Sequence, residues 1–301
     1  MLNKDTYELH KLIKSKINNN KGQDHFSPNQ IVNKPFAWWI IKYLVSDQDE
    51  RRKSSANYKM HFGNLVGNTT QKLISKYIFV GAEREEIKDK TYENNFNYEL
   101  NLIKKENPRD EKDKECRDMM IEFSHSTIKQ TLKAVKQIFG NENIQSERYV
   151  DNQPEELFLP IVGRIDFESN EMIAELKTKP PYFRDNKSGL KPYTQKLPEE
   201  PNLDHVAQLS FYFHCTKKKP ILFYVNNEDF KIFDEFKEEY LEYCYQINIV
   251  RRAKTIQRLL EASRGNASLM AELVEAPDLK NYLYSDLTEY QHQQITKLWG
   301  I

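Results

Sequence analysis

One stretch constrains the fold of this chain more than any other. It runs Gly163-Arg164-Ile165-Asp166-Phe167-Glu168, breaks at Ser169-Asn170, and resumes as Glu171-Met172-Ile173-Ala174-Glu175-Leu176-Lys177-Thr178-Lys179. Apolar and polar residues alternate on both sides of the break, which is the pattern of a β-hairpin. A two-residue turn centred on Ser169-Asn170 sets Phe167 opposite Met172 and Asp166 opposite Ile173. Strand side chains have period two, so Asp166, Ile173, Glu175 and Lys177 then share one face. A turn of odd length would put Asp166 and Glu175 on opposite faces. Two carboxylates and an amine on one face of a sheet call for pairing or for a metal, because an unpaired buried charge is costly.

The flanking sequence places this hairpin in a larger frame. Residues 1–26 are polar and rich in Asn and Lys, and are expected to be a partly mobile front, with regular structure starting at Ser27. Ser27-Pro28-Asn29-Gln30 is a helix-start signature, and Pro35 opens a second helix over 36–44, whose Trp38-Trp39 pair reads as core. A third helix is expected over 58–78, with Gly63 and Gly67 allowing another backbone to approach. Residues 82–118 carry mostly charge and no apolar period, and read as a loop or a loosely packed helical excursion. Ile121, Ile128, Leu132, Val135 and Phe139 mark an amphipathic helix closed by Gly140. Strand patterns follow at 144–150 and 157–162, leading into the hairpin. The proline-rich 180–203 reads as a long loop, of the kind that serves as a functional lid or a mobile segment. Asp204 caps a helix to residue 214, 220–225 is an apolar strand, Asn226-Asn227 turns it toward 230–233, and 235–301 is helical with a break at Gly265-Asn266. The fold class is α/β with a mixed sheet. Its expected divisions are 1–26, a mainly helical 27–140, a sheet-bearing core at 141–234, and C-terminal helices at 235–301 packed on the same domain.

Composition narrows the chemistry. Lys plus Arg and Asp plus Glu each number 45, so any nucleic-acid surface must come from local segregation of charge. Cys116, Cys215 and Cys244 lack CxxC spacing, which argues against a disulfide framework or a four-cysteine metal site. No apolar run is long enough to span a membrane, and the N-terminus has no hydrophobic signal core, so a cytoplasmic protein is expected. Glycine-rich phosphate loops and HExxH are absent. Carboxylate chemistry remains. Asp166, Glu175 and the Leu176 carbonyl offer hard oxygens suited to Mg²⁺ or Mn²⁺. Lys177 would point to the same side, where it could orient or deprotonate an attacking water or stabilise a pentavalent phosphate. This set suits in-line hydrolysis of a phosphodiester. The same residues also fit an exposed hairpin whose charges form cross-strand ion pairs.

Gly163-Arg164-Ile165-Asp166 followed by Ala174-Glu175-Leu176-Lys177-Thr178 resembles the PD-(D/E)XK nuclease superfamily, in particular its RecB-like exonuclease branch. Gln208-Leu209-Ser210-Phe211-Tyr212 is similar to the QxxxY motif that follows the ExK strand there. The 27–39 segment resembles the branch's opening Ser…Pro segment. Gly63-Asn64-Leu65-Val66-Gly67-Asn68-Thr69-Thr70-Gln71 resembles its GxxxH helix, except that Gly67 or Gln71 stands where the metal-binding His is usual. The resemblance implies a restriction-endonuclease-like αβββαβ core, with strands near 144–150, 155–167 and 172–178, and helical N- and C-terminal additions. It implies Asp166, Glu175 and Lys177 as catalytic residues, and Asp166, Glu175, Leu176 and Gln71 as holders of Mg²⁺ or Mn²⁺. Gln208 and Tyr212 would lie against the site, with Arg164, Lys179 and Tyr182 on the substrate and Phe183 and Arg184 as further candidates. The cysteines of iron–sulfur relatives are missing, so no cluster is expected. The activity implied is a DNA exonuclease of a phage or mobile element, in repair or recombination, acting on single strands or duplex ends. A structure-specific or restriction-like endonuclease, and a degenerate module that binds nucleic acid without cutting, are the alternatives.

Overall fold

The computed structural model describes residues 4–19, 23–45, 56–80, 83–187, 189–281, 284 and 287–301. In chain order the elements begin with helices α1 (Lys4–Asn19), α2 (Pro28–Asn33) and α3 (Phe36–Ile40), the last running on as a wider π turn (Ile41–Val45). Helix α4 (Tyr58–Ile74), strands β1 (Tyr77–Val80) and β2 (Glu83–Glu86), and helices α5 (Tyr92–Lys104) and α6 (Glu111–Phe139) follow. The strands β3 (Gln145–Asn152), β4 (Ile161–Glu168), β5 (Met172–Thr178), β6 (Tyr182–Asn186) and β7 (Gly189–Tyr193) come next. Then come helix α7 (Leu203–Thr216), strands β8 (Lys219–Val225) and β9 (Phe230–Phe233), and helices α8 (Glu238–Cys244), α9 (Arg251–Ala262), α10 (Ala267–Glu272) and α11 (Glu289–Trp299). The fold is mixed α/β, with a central sheet flanked by helices. No helix among the described residues is long and apolar enough to cross a membrane.

Contacts divide the chain into two compact units. The first comprises 1–55, 151–162 and 243–301. Its front is not the loose segment expected from its polarity. In α1, His10, Ile13 and Ile17 are buried, three to four residues apart on one helical face. His10 Nε2 lies 2.6 Å from Glu261 Oε1, and its ring stacks on Phe158 at 4.7 Å between centroids. A stripe this narrow is hidden when the composition around it is Asn and Lys. Residues 1–3 and 20–22 of that front lie outside the described set. Trp38 and Trp39 are fully buried, as expected. The strand expected from residue 155 starts only at Ile161. Before it, Phe158 N donates to Gln257 Oε1 and Gln257 Nε2 donates to the Glu156 carbonyl, so a side chain takes the place of a strand partner.

The second unit, 56–150 and 163–242, contains the hairpin. The seven strands of its sheet run in the order β2-β1-β3-β4-β5-β8-β9. Strands β4 and β5 are antiparallel, β5 and β8 pair in parallel along all seven residues, and β8 and β9 are antiparallel. One face carries Phe167, Ala174, Ile221, Phe223 and Val225 against Ala134, Val135 and Phe139 of α6. The opposite face packs on α7, which makes the crossover between the parallel strands β5 and β8. The 82–118 segment is more regular than expected, holding β2, α5 and the first turns of α6. Helix α5 buries Asn95, Phe96, Glu99 and Ile103, and Glu99 accepts from Asn68 and Lys72, so half its packed stripe is polar and shows no apolar period. The 180–203 region likewise contains an antiparallel hairpin, β6–β7, rather than a continuous loop.

The central hairpin forms with its turn one residue later than expected. Phe167 pairs with Ala174 and Glu168 with Ile173, so Asn170-Glu171 make the turn. Ser169 fixes this register: its N–H donates to the Met172 carbonyl, and its hydroxyl accepts from Met172 N at 3.2 Å. Moving a two-residue turn by one position shifts the register by two. Parity is preserved, and Asp166, Glu175 and Lys177 remain on one face.

Candidate active site

That face meets α7, and a chain of hydrogen bonds crosses the junction. Lys177 Nζ donates to Glu175 Oε1 and to Gln208 Oε1, both at 2.8 Å. The Gln208 amide donates to the same Glu175 oxygen at 2.8 Å and to the Tyr212 hydroxyl at 2.9 Å. Tyr212 in turn donates to the Arg164 carbonyl at 2.8 Å, which ties α7 back to β4. Gln208 and Tyr212 lie four apart and so face the same way on the helix. Asp166 Oδ2 accepts from Leu176 N at 2.9 Å, locking the two strands beside the carboxylates. Gly163 makes the close approach possible. A Cβ there would lie 2.6 Å from a Tyr212 ring carbon and 2.9 Å from one of Phe211. Gly63 similarly sits close to β5, where a Cβ would meet Thr178 Oγ1 at 3.3 Å, whereas Gly67 faces open space.

Burial sets the electrostatics. Glu175 is 4% exposed, and desolvation, reinforced by the charge of Asp166, pushes its carboxyl up to about 8 against the pull of Lys177. Asp166 is raised by the same desolvation, with Lys177 and the Leu176 amide opposing. Tyr212 is held well above its ordinary value by burial and by Glu175. His205, one turn before Gln208, is lowered to about 3 by burial and by Lys177 and Lys179, and its Nδ1 lies 2.8 Å from the Tyr224 hydroxyl.

The remaining expected residues are distributed as follows. Gln71 is buried beside β4, with Nε2 3.5 Å from the Asp166 carbonyl and Oε1 without a partner. His61, a turn away from the GxxxH-like glycines, is buried near Glu106 and Arg117 and lowered chiefly by burial, apart from the carboxylate pair. Arg164 is ion-paired to Glu147 at 2.5 Å. Lys179 lies over the Tyr224 ring at 5.3 Å, and burial lowers it. Tyr182 is on β6, stacked on Tyr193. Phe183 points the other way, edge-on to Tyr58.

Glu147 is the residue the sequence did not single out. It is buried, pushed up by desolvation despite Arg164, and lies close enough to influence both Asp166 and Glu175. In an alternating strand Ser146 and Glu147 should face opposite ways, yet both are buried. Glu147 has φ +63°, a left-handed kink within the strand. The only hint in the sequence is that Glu147 and Arg148 interrupt an otherwise apolar-flanked strand.

A hard cation suits this site on one observation in particular. Glu175 Oε2 and Gln71 Oε1 are both buried without a hydrogen-bond partner, and a buried carboxylate oxygen left unpaired is costly. Among the described residues no three His, Cys, Asp or Glu side chains are grouped as a metal cluster on their own. Two carboxylates can hold such a cation with waters completing its shell, and neutral oxygens such as the Gln71 amide and the Leu176 carbonyl are further candidates.

No protein-family model matches the chain, and no curated protein matches it. Among solved structures it is similar to the crystal structure of SSO0001, at 13% identity over 80% of this chain and 84% of that one, with a TM-score of 0.31. A likeness that distant carries no argument about function.

Proposed function

We propose that the chain is a metal-dependent nuclease of the PD-(D/E)XK type that hydrolyses DNA phosphodiester bonds, with exonuclease action favoured. The observation that carries this is the buried Glu175 beside the half-buried Asp166, with Lys177 held between Glu175 and Gln208. An ordinary surface hairpin has no reason to bury one carboxylate beside another and brace their lysine from a second element. The succession α6-β3-β4-β5-α7-β8, with β3-β4-β5-β8 adjacent in the sheet, supports the αβββαβ arrangement of that superfamily. Strands β1, β2 and β9 would then be additions at the two edges.

In this reading Asp166 and Glu175 hold Mg²⁺ or Mn²⁺, with Gln71 and the Leu176 carbonyl as neutral donors. When bound, the cation supplies positive charge to the non-bridging oxygens of the scissile phosphate. Lys177 is the chain's own catalytic group. Its ammonium can donate to the attacking water or to the phosphate as negative charge builds there. Gln208 is a positioning residue, since its carbonyl holds Nζ and its amide holds the Glu175 oxygen on which Nζ rests. Tyr212 positions Gln208.

The test uses end-labelled linear and closed circular DNA, single- and double-stranded, with Mg²⁺, Mn²⁺ or EDTA. Release of nucleotides from linear but not circular substrates, lost in EDTA, is expected. Nicking of circles would replace the exonuclease with an endonuclease. Asp166→Ala and Lys177→Ala should each abolish cleavage with the fold retained, and full activity in either overturns the site.

A further inference from the structure

The β6–β7 hairpin has two unlike faces. In its register Tyr182 pairs with Tyr193 and Arg184 with Lys191, whereas Phe183 pairs with Pro192 and Asp185 with Leu190. Directly opposed residues share a face, so Tyr182, Tyr193, Arg184 and Lys191 stand together on one side. The other side is anchored: Phe183 meets Tyr58 of α4 at 5.2 Å between centroids, and Lys112 Nζ of α6 is 2.6 Å from Asp185 Oδ2. On the open side the two tyrosine rings stack at 5.3 Å and 19°, and the Arg184 guanidinium lies 5.0 Å from one centroid and 5.8 Å from the other. Arg184, Lys191 and Tyr193 are all exposed, Tyr193 by 40%.

That open face presents cations and aromatic rings together. Like charges directly opposite on paired strands repel, and no carboxylate among the described residues pairs with either Arg184 or Lys191. The chain as a whole has as many acidic as basic residues, so two unopposed cations beside two aromatic rings are a local segregation rather than a consequence of bulk charge. A phosphate alone would satisfy the cations but has no use for the rings. A duplex offers phosphates while keeping its base faces stacked inside. Single-stranded nucleic acid offers both phosphates and free base faces at the spacing of neighbouring side chains.

We propose that the outer face of the β6–β7 hairpin, formed by Tyr182, Tyr193, Arg184 and Lys191, is a binding platform for single-stranded nucleic acid. Bases stack on the tyrosine pair while Arg184 and Lys191 neutralise the adjacent phosphates. The hairpin follows directly from the strand that bears Glu175 and Lys177. Resting on the proposed nuclease reading, the inference narrows its substrate to a strand presented unpaired.

Binding is measured on the full chain in EDTA, by fluorescence anisotropy with labelled oligothymidylate and oligouridylate of about 20 nucleotides and a blunt duplex of equal length. Single strands should bind more tightly than the duplex. The Tyr182→Ala/Tyr193→Ala protein should bind about tenfold or more weakly, and Tyr182→Phe/Tyr193→Phe should keep its affinity because the rings remain. Arg184→Gln and Lys191→Gln should each flatten the slope of log affinity against log salt by about 0.7. These two variants decide the matter even if the alanine pair unfolds. Unchanged affinity in the alanine pair together with an unchanged salt slope overturns the proposal, as does tighter binding of the duplex. Because metal is absent throughout, a protein that binds through the hairpin but never cuts leaves this inference standing and sinks only the nuclease reading. Cleavage with normal binding by the hairpin variants does the reverse.

Discussion

Replacing Glu175 with Gln should flatten the pH dependence of stability in the metal-free protein. In the folded chain burial and Asp166 hold the Glu175 carboxyl at about 8, while in the unfolded chain it ionises near its ordinary value of about 4.3. Between those values the native state keeps a proton that the unfolded state has lost. Stability therefore falls as pH rises, most steeply below about 8, and is fully retained only below the unfolded value. From about pH 6.5 to about pH 8 a group with this shift removes roughly 1.5 kcal/mol. Asp166 is raised too and acts in the same direction. His205 acts oppositely. Lowered to about 3 by burial, it withdraws only about 0.4 kcal/mol at pH 6.5 and almost nothing at pH 8, and does so equally in both proteins. The assay is urea unfolding in EDTA at both pH values. Wild type should lose about 1.5 kcal/mol more than Glu175→Gln on going to the higher pH. Adding Mn²⁺ should stabilise wild type more at the higher pH than at the lower, since the cation must displace the proton. Equal slopes in the two proteins would refute the claim that Glu175 is buried against its own charge.

Gly163→Ala should destabilise by about 1–3 kcal/mol in urea unfolding, because its Cβ would meet the Tyr212 and Phe211 rings at 2.6 and 2.9 Å. Gly67→Ala, which meets nothing within 4 Å and lies inside a helix, should be neutral or stabilising by up to about 1 kcal/mol and serves as its control. Tyr212→Phe removes the acceptor of one Gln208 hydrogen and the donor to the Arg164 carbonyl, at a cost of about 1–3 kcal/mol. It should slow cleavage of labelled DNA without abolishing it, unlike Lys177→Ala, and an unchanged rate would remove Tyr212 from the positioning chain.

What was legible in the sequence was what alternation and spacing encode. Face sharing among Asp166, Glu175 and Lys177 survives a register error of two residues, because only parity matters for which side a strand residue takes. Gln208 and Tyr212 sit four apart and so share a helix face, while their place beside the carboxylates was implied only by the resemblance. What failed were segments whose buried stripe is short or polar. Helix α1 shows only His10, Ile13 and Ile17 inward, and α5 seats Asn95 and Glu99 where apolar residues would announce a core. The β6–β7 hairpin was obscured by the prolines around it. Pro192 is tolerated there because β6 and β7 form a sheet of two strands, both of them edges.

Glu147 shows why a site of this kind cannot be completed from a pattern alone. Glu147 takes a left-handed φ of +63°, at a backbone cost of about 1–3 kcal/mol that surrounding contacts must offset. Arg164 provides one such contact. With Glu147 counted, the neighbourhood gathers three carboxylates, Glu147, Asp166 and Glu175, against two cations, Arg164 and Lys177. All three carboxyls are pushed upward by burial, Glu175 to about 8, so in the free protein the imbalance favours retention of a proton by the group. On the proposed nuclease reading a divalent cation would resolve it in the other way, by replacing that proton and satisfying the partnerless oxygen of Glu175. On that reading a Gln in place of the histidine leaves the charge of the site unchanged, because a metal-binding imidazole would be neutral too. A neutral Gln71 together with a buried Glu147 leaves the same excess of negative charge for a cation to meet.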